Sequence, residues 1–525
     1  MKAILNYLKE RLLYPFKKDL LFFFLLWFLI SLPNCYSQRN DITYVVYLAM
    51  MYYIMAYLLV AIINSLGYVA KILKPILLVA STFLCLINFY CVTTYGCLLS
   101  NDFVQIIAGT NIEEASEFFM TFISWGEAIL FLLIIFLSIF VAILLPKMQR
   151  KELGKTWIAA CGLLLISIVA IWHNSGILKE EFVDKAYWDF SFDEVVDLKN
   201  HPTHPKIAES DSIHPKQIVI ILGESFSSNH SSLYGYHIIT NPLLGKQEGY
   251  GNLLVYKNAT SPCTITTKAF KYLLNTYTTN VEDGKAWYDH PNIIEIMIAA
   301  GYHTAWISNQ AEIGMYDNLP SGFARLCDES IFLREKNDVQ KFDGNLISKK
   351  TSQKHEKNCI FYHLMGQHEN FSTRYPKEFE RFTAKDYNTL PQNQREVIAS
   401  YDNATLYNDF VVNSIIELYK DKDAVVFYLP DHALDLFDTD PDYFGHAKMT
   451  EASQVQGKKI PFMVYVSPAF KDLHSKMYER MKESREKPFC TDRLIYAVMD
   501  VAGFRFADNN DVDKYSLFQR CNQPE

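Results

Sequence analysis

The chain has 525 residues, half of them hydrophobic and 14% aromatic, with 21% charged and a formal net charge of −8. That apolar content excludes a disordered chain, the acidic balance argues against nucleic acid as the main partner, and ten cysteines are too few for a disulfide scaffold. Length suggests roughly three domain-sized units, and no internal repeat or low-complexity tract is visible.

The apolar residues are concentrated at the front. Crossing a hydrocarbon core takes about 20 mostly apolar residues, and five stretches before residue 175 qualify or come close: 20–32 with its flanks, 42–64, 76–92, 128–145 and 157–172. The first lacks a small-residue cleavage site and is followed by further spans, so it reads as an uncleaved helix rather than a signal peptide. Lysine and arginine alternate across the loops. Lys2, Lys9, Arg11, Lys17 and Lys18 precede the first span, Lys71 and Lys74 follow the second, and Lys147, Arg150, Lys151 and Lys155 follow the fourth. The two remaining loops hold Arg39 alone and no base at all. This bias predicts a cytoplasmic N-terminus and places everything after residue 173 outside.

The outer loop 93–124 carries Asp102, Glu113, Glu114 and Glu117, either a solvated acidic face or the wall of a site at the membrane surface. Residues 174–215 join the two parts. They comprise an amphipathic, aromatic stretch suited to the membrane interface and a Pro- and His-rich linker at 200–215. Its His201, His204 and His214 read as inert.

From residue 216 to 525 the pattern changes to an α/β domain. Apolar β-branched runs at 217–224, 302–309, 359–366, 424–431 and 461–468 alternate with helical segments near 265–277, 290–300, 393–420 and 490–502. Continuous apolar strands separated by helices predict a mainly parallel sheet covered on both faces, with ligands at the carboxyl ends of the strands. Glu224 ends the first of these strands, His363 and His368 lie in and after the third, and Asp431 and His432 end the fourth. Each alone is compatible with a cap or a turn. Together they mark one site, and carboxylate with imidazole suits Zn²⁺ or Mn²⁺ better than Ca²⁺.

A nucleophile is expected near that site. The segment GESFS at 223–227 does not meet the nucleophile-elbow pattern. The run 261–270, SPCTITTKAF, reads instead as a Thr-rich turn entering a helix. A hydroxyl there would face free N–H groups that favour phosphate, unless Thr264 or Thr266 simply caps the helix. Cys263 is the weaker candidate nucleophile.

These segments together resemble the membrane-bound phosphoethanolamine transferases of bacteria with outer membranes, within the alkaline phosphatase/sulfatase superfamily. The resemblance spans nearly the whole chain. It rests on ILGESFSSNHSSLYGYHIITNP (221–242), CTITTKAF, GYHTAWISNQ (301–310), FYHLMGQHENFSTRYP (361–376), SYDNATLYND (400–409), and YLPDH followed by YFGH (428–446). It implies five transmembrane helices (1–173), an interfacial linker (174–215) and a periplasmic sulfatase-like domain (216–525). It implies a threonine nucleophile, best matched by Thr266 with Thr264 as runner-up. Zn²⁺ would be held by Glu224, Thr266, Asp431 and His432, with a second ion allowed for. His368 and His446, and less directly His363, would lie near the substrate phosphate or that second ion. Thr110 and Glu114 would bind the ethanolamine end. The implied activity moves phosphoethanolamine from phosphatidylethanolamine, through a covalent threonine intermediate, to a lipopolysaccharide core sugar, lipid A or another envelope acceptor at the inner membrane.

The sequence departs from the family's pattern at Ile106, where the family often has Asn, at Ala433 after the Asp-His pair, and in having only Cys263 beside the nucleophile. The last departure leans away from lipid A as acceptor. Five cysteines in the soluble part leave at least one unpaired; Cys490–Cys521 and Cys327–Cys359 are conceivable bridges. Glycerophosphate transfer, a membrane-anchored phosphodiesterase and a non-enzymatic metal-stabilised envelope protein are the alternatives.

Overall fold

The structure is a computed structural model. It describes residues 13–100, 103, 116, 123, 125–148, 156–173, 198–210, 214–281, 283–312, 319–334, 342–349, 351, 355–446 and 448–519. Thr110, Glu114, Ile106, the amphipathic stretch before residue 198 and Cys521 lie outside these residues. The chain forms two compact units.

The first unit is helical: α1 Leu20–Ser37, α2 Ile42–Ser65, α3 Ala70–Tyr95, α4 Trp125–Met148 and α5 Thr156–His173. Among the described residues four helices are long and apolar enough to cross a membrane: Leu20–Ser37, Ile42–Ser65, the run Gly67–Tyr95, and Thr156–His173. Within α4 the qualifying apolar stretch, Ala128–Leu144, is shorter. Aromatic side chains knit the interior. Phe23 and Trp27 of α1 meet Tyr53 of α2 edge-on at 4.7 and 5.2 Å, and the Tyr53 hydroxyl donates to the Ala160 carbonyl of α5 at 2.9 Å. Leu132, Phe136, Ile143, Leu165 and Val169 face outward, an exposure that suits lipid and not water.

The second unit is built on a seven-stranded sheet. Its strands are β1 Gln217–Gly223, β2 Leu253–Tyr256, β3 His303–Ala311, β4 Glu329–Arg334, β5 Asn358–His363, β6 Ala424–Pro430 and β7 Phe462–Val466. They lie in the order β2-β7-β6-β1-β5-β3-β4. The sheet is mixed. The joins from β6 to β4 are parallel, whereas β7 runs antiparallel to both β6 and β2. The apolar runs forecast five of the strands; β2 and β4, the two edges, were not anticipated.

Alternation along each strand divides the core. Ile218, Ile220 and Leu222 face one side with Trp306, Phe361 and Phe427, while Val219 and Ile221 face the other with Ile360, Tyr362 and Val426. Among the helices of this unit are α6 Pro242–Gly249, α7 Thr266–Leu273, α8 Ile293–Ala299, α9 Gln392–Glu417, α10 Glu451–Gln456 and α11 Leu494–Ala502. α7, α8 and α11 cover the first face, and α9 covers the second. Both faces being covered accounts for strands that read as unbroken apolar runs.

Residues 198–210, read from the sequence as leading into and forming the linker, belong to this unit. Leu198 is buried in its core, and Ile207–Glu209 pairs antiparallel with Phe504–Phe506. His201 sits beside Asp289 and His214 beside the Ala502 carbonyl, each at 3.1 Å. Cys327 and Cys359 are not bridged to each other.

Candidate active site

The parallel strands β1 and β6 are hydrogen-bonded neighbours, with Gly223 opposite Pro430. The residues that follow them, Glu224 and the pair Asp431-His432, therefore emerge side by side at the carboxyl edge of the sheet. All three are buried, and a ligand atom from each falls within 4.8 Å of the others. His432 Nε2 stands 3.4 Å from Glu224 Oε1 and 3.3 Å from Asp431 Oδ2. Its other nitrogen, Nδ1, lies 3.0 Å from the Ala433 carbonyl. That carbonyl can only accept, so Nδ1 carries the proton and the Nε2 lone pair is turned into the cluster.

Thr266 joins this group as the first residue of α7. Its Oγ1 is 3.2 Å from His432 Nε2. No side chain caps this helix, so the hydroxyl is not consumed in the way an ordinary helix start would require. Thr264 is placed differently. It donates to Gln454 Oε1 of α10 at 3.2 Å, and a Cβ added at Gly457 would stand 2.7 Å from its Cγ2, so it is packed against α10. The Cys263 thiol is pushed up to about 12, mainly by burial, and is protonated at neutral pH.

Burial moves the titrations of the site. Asp431 is raised to about 6 by burial, against hydrogen bonds from the Thr266 hydroxyl and the amides of His432 and Ser225. His432 is held well below the usual imidazole range by burial and then by the nearby His446, which keeps it a neutral ligand.

His446 and His368 stand in the next layer. The His446 ring stacks on His432 with centroids 4.4 Å apart. Its Nδ1 reaches the Thr264 carbonyl at 2.7 Å, and its Nε2 lies 3.9 Å from Glu369. His368 is kept neutral by burial and then by Arg374, His446 and His432. Its Nδ1 is buried without a hydrogen-bond partner among the described residues. His363 is not gathered in. Its ring packs on Phe270 and Trp306 at 5.4 and 5.5 Å, its Nδ1 meets the Ser308 hydroxyl at 3.2 Å, and burial lowers it to about 3. It is a core histidine beneath α7.

Several supporting residues escaped the sequence reading. Asp343 accepts from the amides of Met365 and Gly366 and from Asn309, fixing the loop that carries His368. Gly366 has φ +51°, and a Cβ there would fall 2.8 Å from the Glu224 backbone nitrogen and oxygen. Ser225, a non-glycine residue at φ 57°, donates its hydroxyl to Glu224 Oε1 at 2.9 Å and its amide to Asp431 Oδ1 at 3.3 Å. One signal was available. Helix α9 buries Asp402, Asn403, Thr405 and Asn408, and polar residues on a buried helix face point to a supporting network.

The cluster fits a metal ion. It offers two carboxylates, one imidazole oriented by its Nδ1 bond, and a hydroxyl, the donor set of a catalytic zinc. Asp431 Oδ2 is buried and receives no well-formed hydrogen bond, although the Thr266 hydroxyl is near enough to depress its titration.

Residues 216–504 match the Sulfatase family, which is over half of the chain. The chain belongs to the sulfatase family. Within that family it is 26% identical over 303 residues to the phosphoethanolamine transferase EptC of Escherichia coli, a match covering 56% of this chain and 52% of the relative. The phosphoethanolamine transferase EptA of Helicobacter pylori is 22% identical over 467 residues, 84% of each chain. The chain thus spans about half the length of the E. coli relatives it matches. Among solved structures, the integral membrane lipooligosaccharide phosphoethanolamine transferase A of Neisseria meningitidis aligns with a TM-score of 0.66 at 18% identity, covering 96% of this chain and 97% of that one. The C-terminal periplasmic domain of E. coli EptC, solved in complex with Zn, aligns with a TM-score of 0.54 at 24% identity over 61% and 91%. These likenesses extend the fold agreement from the sulfatase-type domain to the helical unit.

Proposed function

We propose that this protein is a zinc-dependent phosphoethanolamine transferase of the bacterial inner membrane. In this reading five spanning helices anchor it with the N-terminus in the cytoplasm, and residues 216–525 form a mainly parallel catalytic domain in the periplasm. The observation that carries the proposal is the Thr266 hydroxyl, uncommitted to helix capping and 3.2 Å from His432, beside the buried carboxylates of Glu224 and Asp431. The relatives named phosphoethanolamine transferases, and the Zn complex of one of them, support the choice of group and metal.

Glu224, Asp431, His432 and Thr266 would hold the ion. When bound, zinc supplies positive charge that lowers the pKa of a neighbouring hydroxyl and polarises a phosphate. Thr266 Oγ forms a bond to the phosphorus of phosphatidylethanolamine as the bond from phosphorus to the diacylglycerol oxygen breaks. The hydroxyl loses its proton, and the departing diacylglycerol oxygen gains one. An acceptor hydroxyl or phosphate then attacks the same phosphorus and frees Thr266. His368 and His446 would face the phosphate and carry protons. Thr110 and Glu114 would bind the ethanolamine end, Glu114 attracting the ammonium by charge. The acceptor would be a lipopolysaccharide or lipooligosaccharide core sugar, lipid A or another envelope component.

Release of diacylglycerol tests this reading, measured with the purified full chain in mixed micelles holding phosphatidylethanolamine and zinc. Thr266→Ala should cut the rate at least roughly 1,000-fold, as expected for loss of a nucleophile. Thr264→Ala should stay within roughly tenfold of the parent. The reverse ranking would assign the nucleophile to Thr264, and equal activity in all three proteins would remove the covalent mechanism.

A further inference from the structure

Glu224 and Asp431 follow different strands, and Ser225 hydrogen-bonds to both. Its hydroxyl donates to Glu224 Oε1 at 2.9 Å and its amide to Asp431 Oδ1 at 3.3 Å. It does so with its backbone in the left-handed region, at φ 57°, which is uncommon for a residue other than glycine and is held in place by its surroundings. A buried phenol braces the backbone there. Tyr401, fully buried on α9, donates its hydroxyl to the Ser225 carbonyl at 2.8 Å and accepts from the Ser227 amide at 2.8 Å. The same oxygen thus holds the backbone on both sides of Phe226. The ring is itself fixed, edge-on to Phe371 at 5.0 Å and to His230 at 5.2 Å.

We infer that Tyr401 is a positioning residue for the metal centre: its hydroxyl pins Ser225 in the left-handed conformation from which Ser225 aims the carboxylates of Glu224 and Asp431 at a bound divalent ion. The inference rests on the reading that these carboxylates are metal ligands. It goes beyond that reading by assigning part of the metal affinity to a group on a helix that supplies no ligand. Outer-shell hydrogen bonds of this kind govern ligand orientation, and their loss typically weakens metal binding about 10- to 100-fold.

The test is zinc affinity of the full chain in detergent, measured by competition with a chromophoric chelator, alongside the melting temperature of the zinc-free protein. Tyr401→Phe keeps the ring and its edge contacts and removes only the hydroxyl. It should weaken zinc binding about 10- to 100-fold. Tyr256→Phe is the comparison. Tyr256 is equally buried, and its hydroxyl donates to the Met481 carbonyl at 3.0 Å, away from the cluster. It should lower the melting temperature while leaving zinc affinity within twofold of the parent. If Tyr401→Phe binds zinc like the parent, or if both tyrosine variants weaken it equally, the assignment is overturned and the phenol is only part of the core. Should Tyr401→Phe not fold, Ser225→Ala tests the link through which Tyr401 would act. It leaves the phenol in place and removes the hydroxyl bond to Glu224, so it should weaken zinc by about tenfold; unchanged affinity would overturn the inference. A parent protein that binds no zinc would instead remove the metal reading on which the inference rests.

Discussion

At the scale of single residues, the site depends on backbone positions that side-chain chemistry does not reveal. Gly366 is the clearest. With φ +51° and Glu224 backbone atoms 2.8 Å from a hypothetical Cβ, any side chain there must displace the loop carrying His368 or the turn carrying Glu224. Gly366→Ala should therefore cost roughly 1–3 kcal/mol of stability and also weaken zinc binding. Thermal melting with and without zinc checks both, and a variant that melts and binds like the parent would show that the turn relaxes freely. Glu224, Asp431 and His432 were legible in the sequence as one cluster because they follow strongly apolar strands. Ser225 was not, because nothing in the letters of GESFS shows that its serine takes a left-handed backbone.

Among elements, strand and helix periodicity identified what is buried and missed what is at the edge. β1, β3, β5, β6 and β7 are buried on both faces, so their apolar runs stand out. β2 spans only Leu253–Tyr256, and β4 mixes Glu329 and Arg334 with its apolar residues, so neither reads clearly as a strand. The antiparallel direction of β7 left no mark on its sequence, since a central strand buried on both faces looks alike in either sense. Asp409 accepts from the amides of Leu243 and Leu244 at 2.9 Å each, at the start of α6. Burial nevertheless raises it to about 7, against those two bonds. Its folded pKa thus exceeds the ordinary unfolded value of about 3.9, so the folded state binds more protons between about pH 4 and 7. Its contribution to stability is fully present below that window and is lost as pH rises through it. Relative to Asp409→Asn, which does not titrate, the parent should lose stability from pH 5 to pH 8. Melting curves of the two proteins across that range check the sign, and a difference independent of pH would contradict it.

For the whole molecule, the division into a helical unit and an α/β unit follows from composition, because the apolar residues before 175 have no use in a soluble domain. The number of spans fixes which side of the membrane holds the site. With five, the turn between α1 and α2 and the α/β unit lie outside, and the turn between α2 and α3 lies inside. A cysteine replacing Gln38 should react with an impermeant maleimide in intact spheroplasts. A cysteine replacing Tyr68 should react only after permeabilisation, each measured above the labelling of the parent. Labelling of both from outside would break the alternation that the lysine and arginine counts predict.

In the proposed reaction Thr266 carries the transferred group. Peptide mass spectrometry tests it directly, on the full chain purified in detergent with zinc and phosphatidylethanolamine, beside Thr266→Ala. The account predicts a phosphoethanolamine adduct on Thr266 within residues 264–267, absent from the variant. A glycerophosphate adduct there would keep the nucleophile and replace the donor. An unmodified Thr266 in active, zinc-loaded protein would contradict the account.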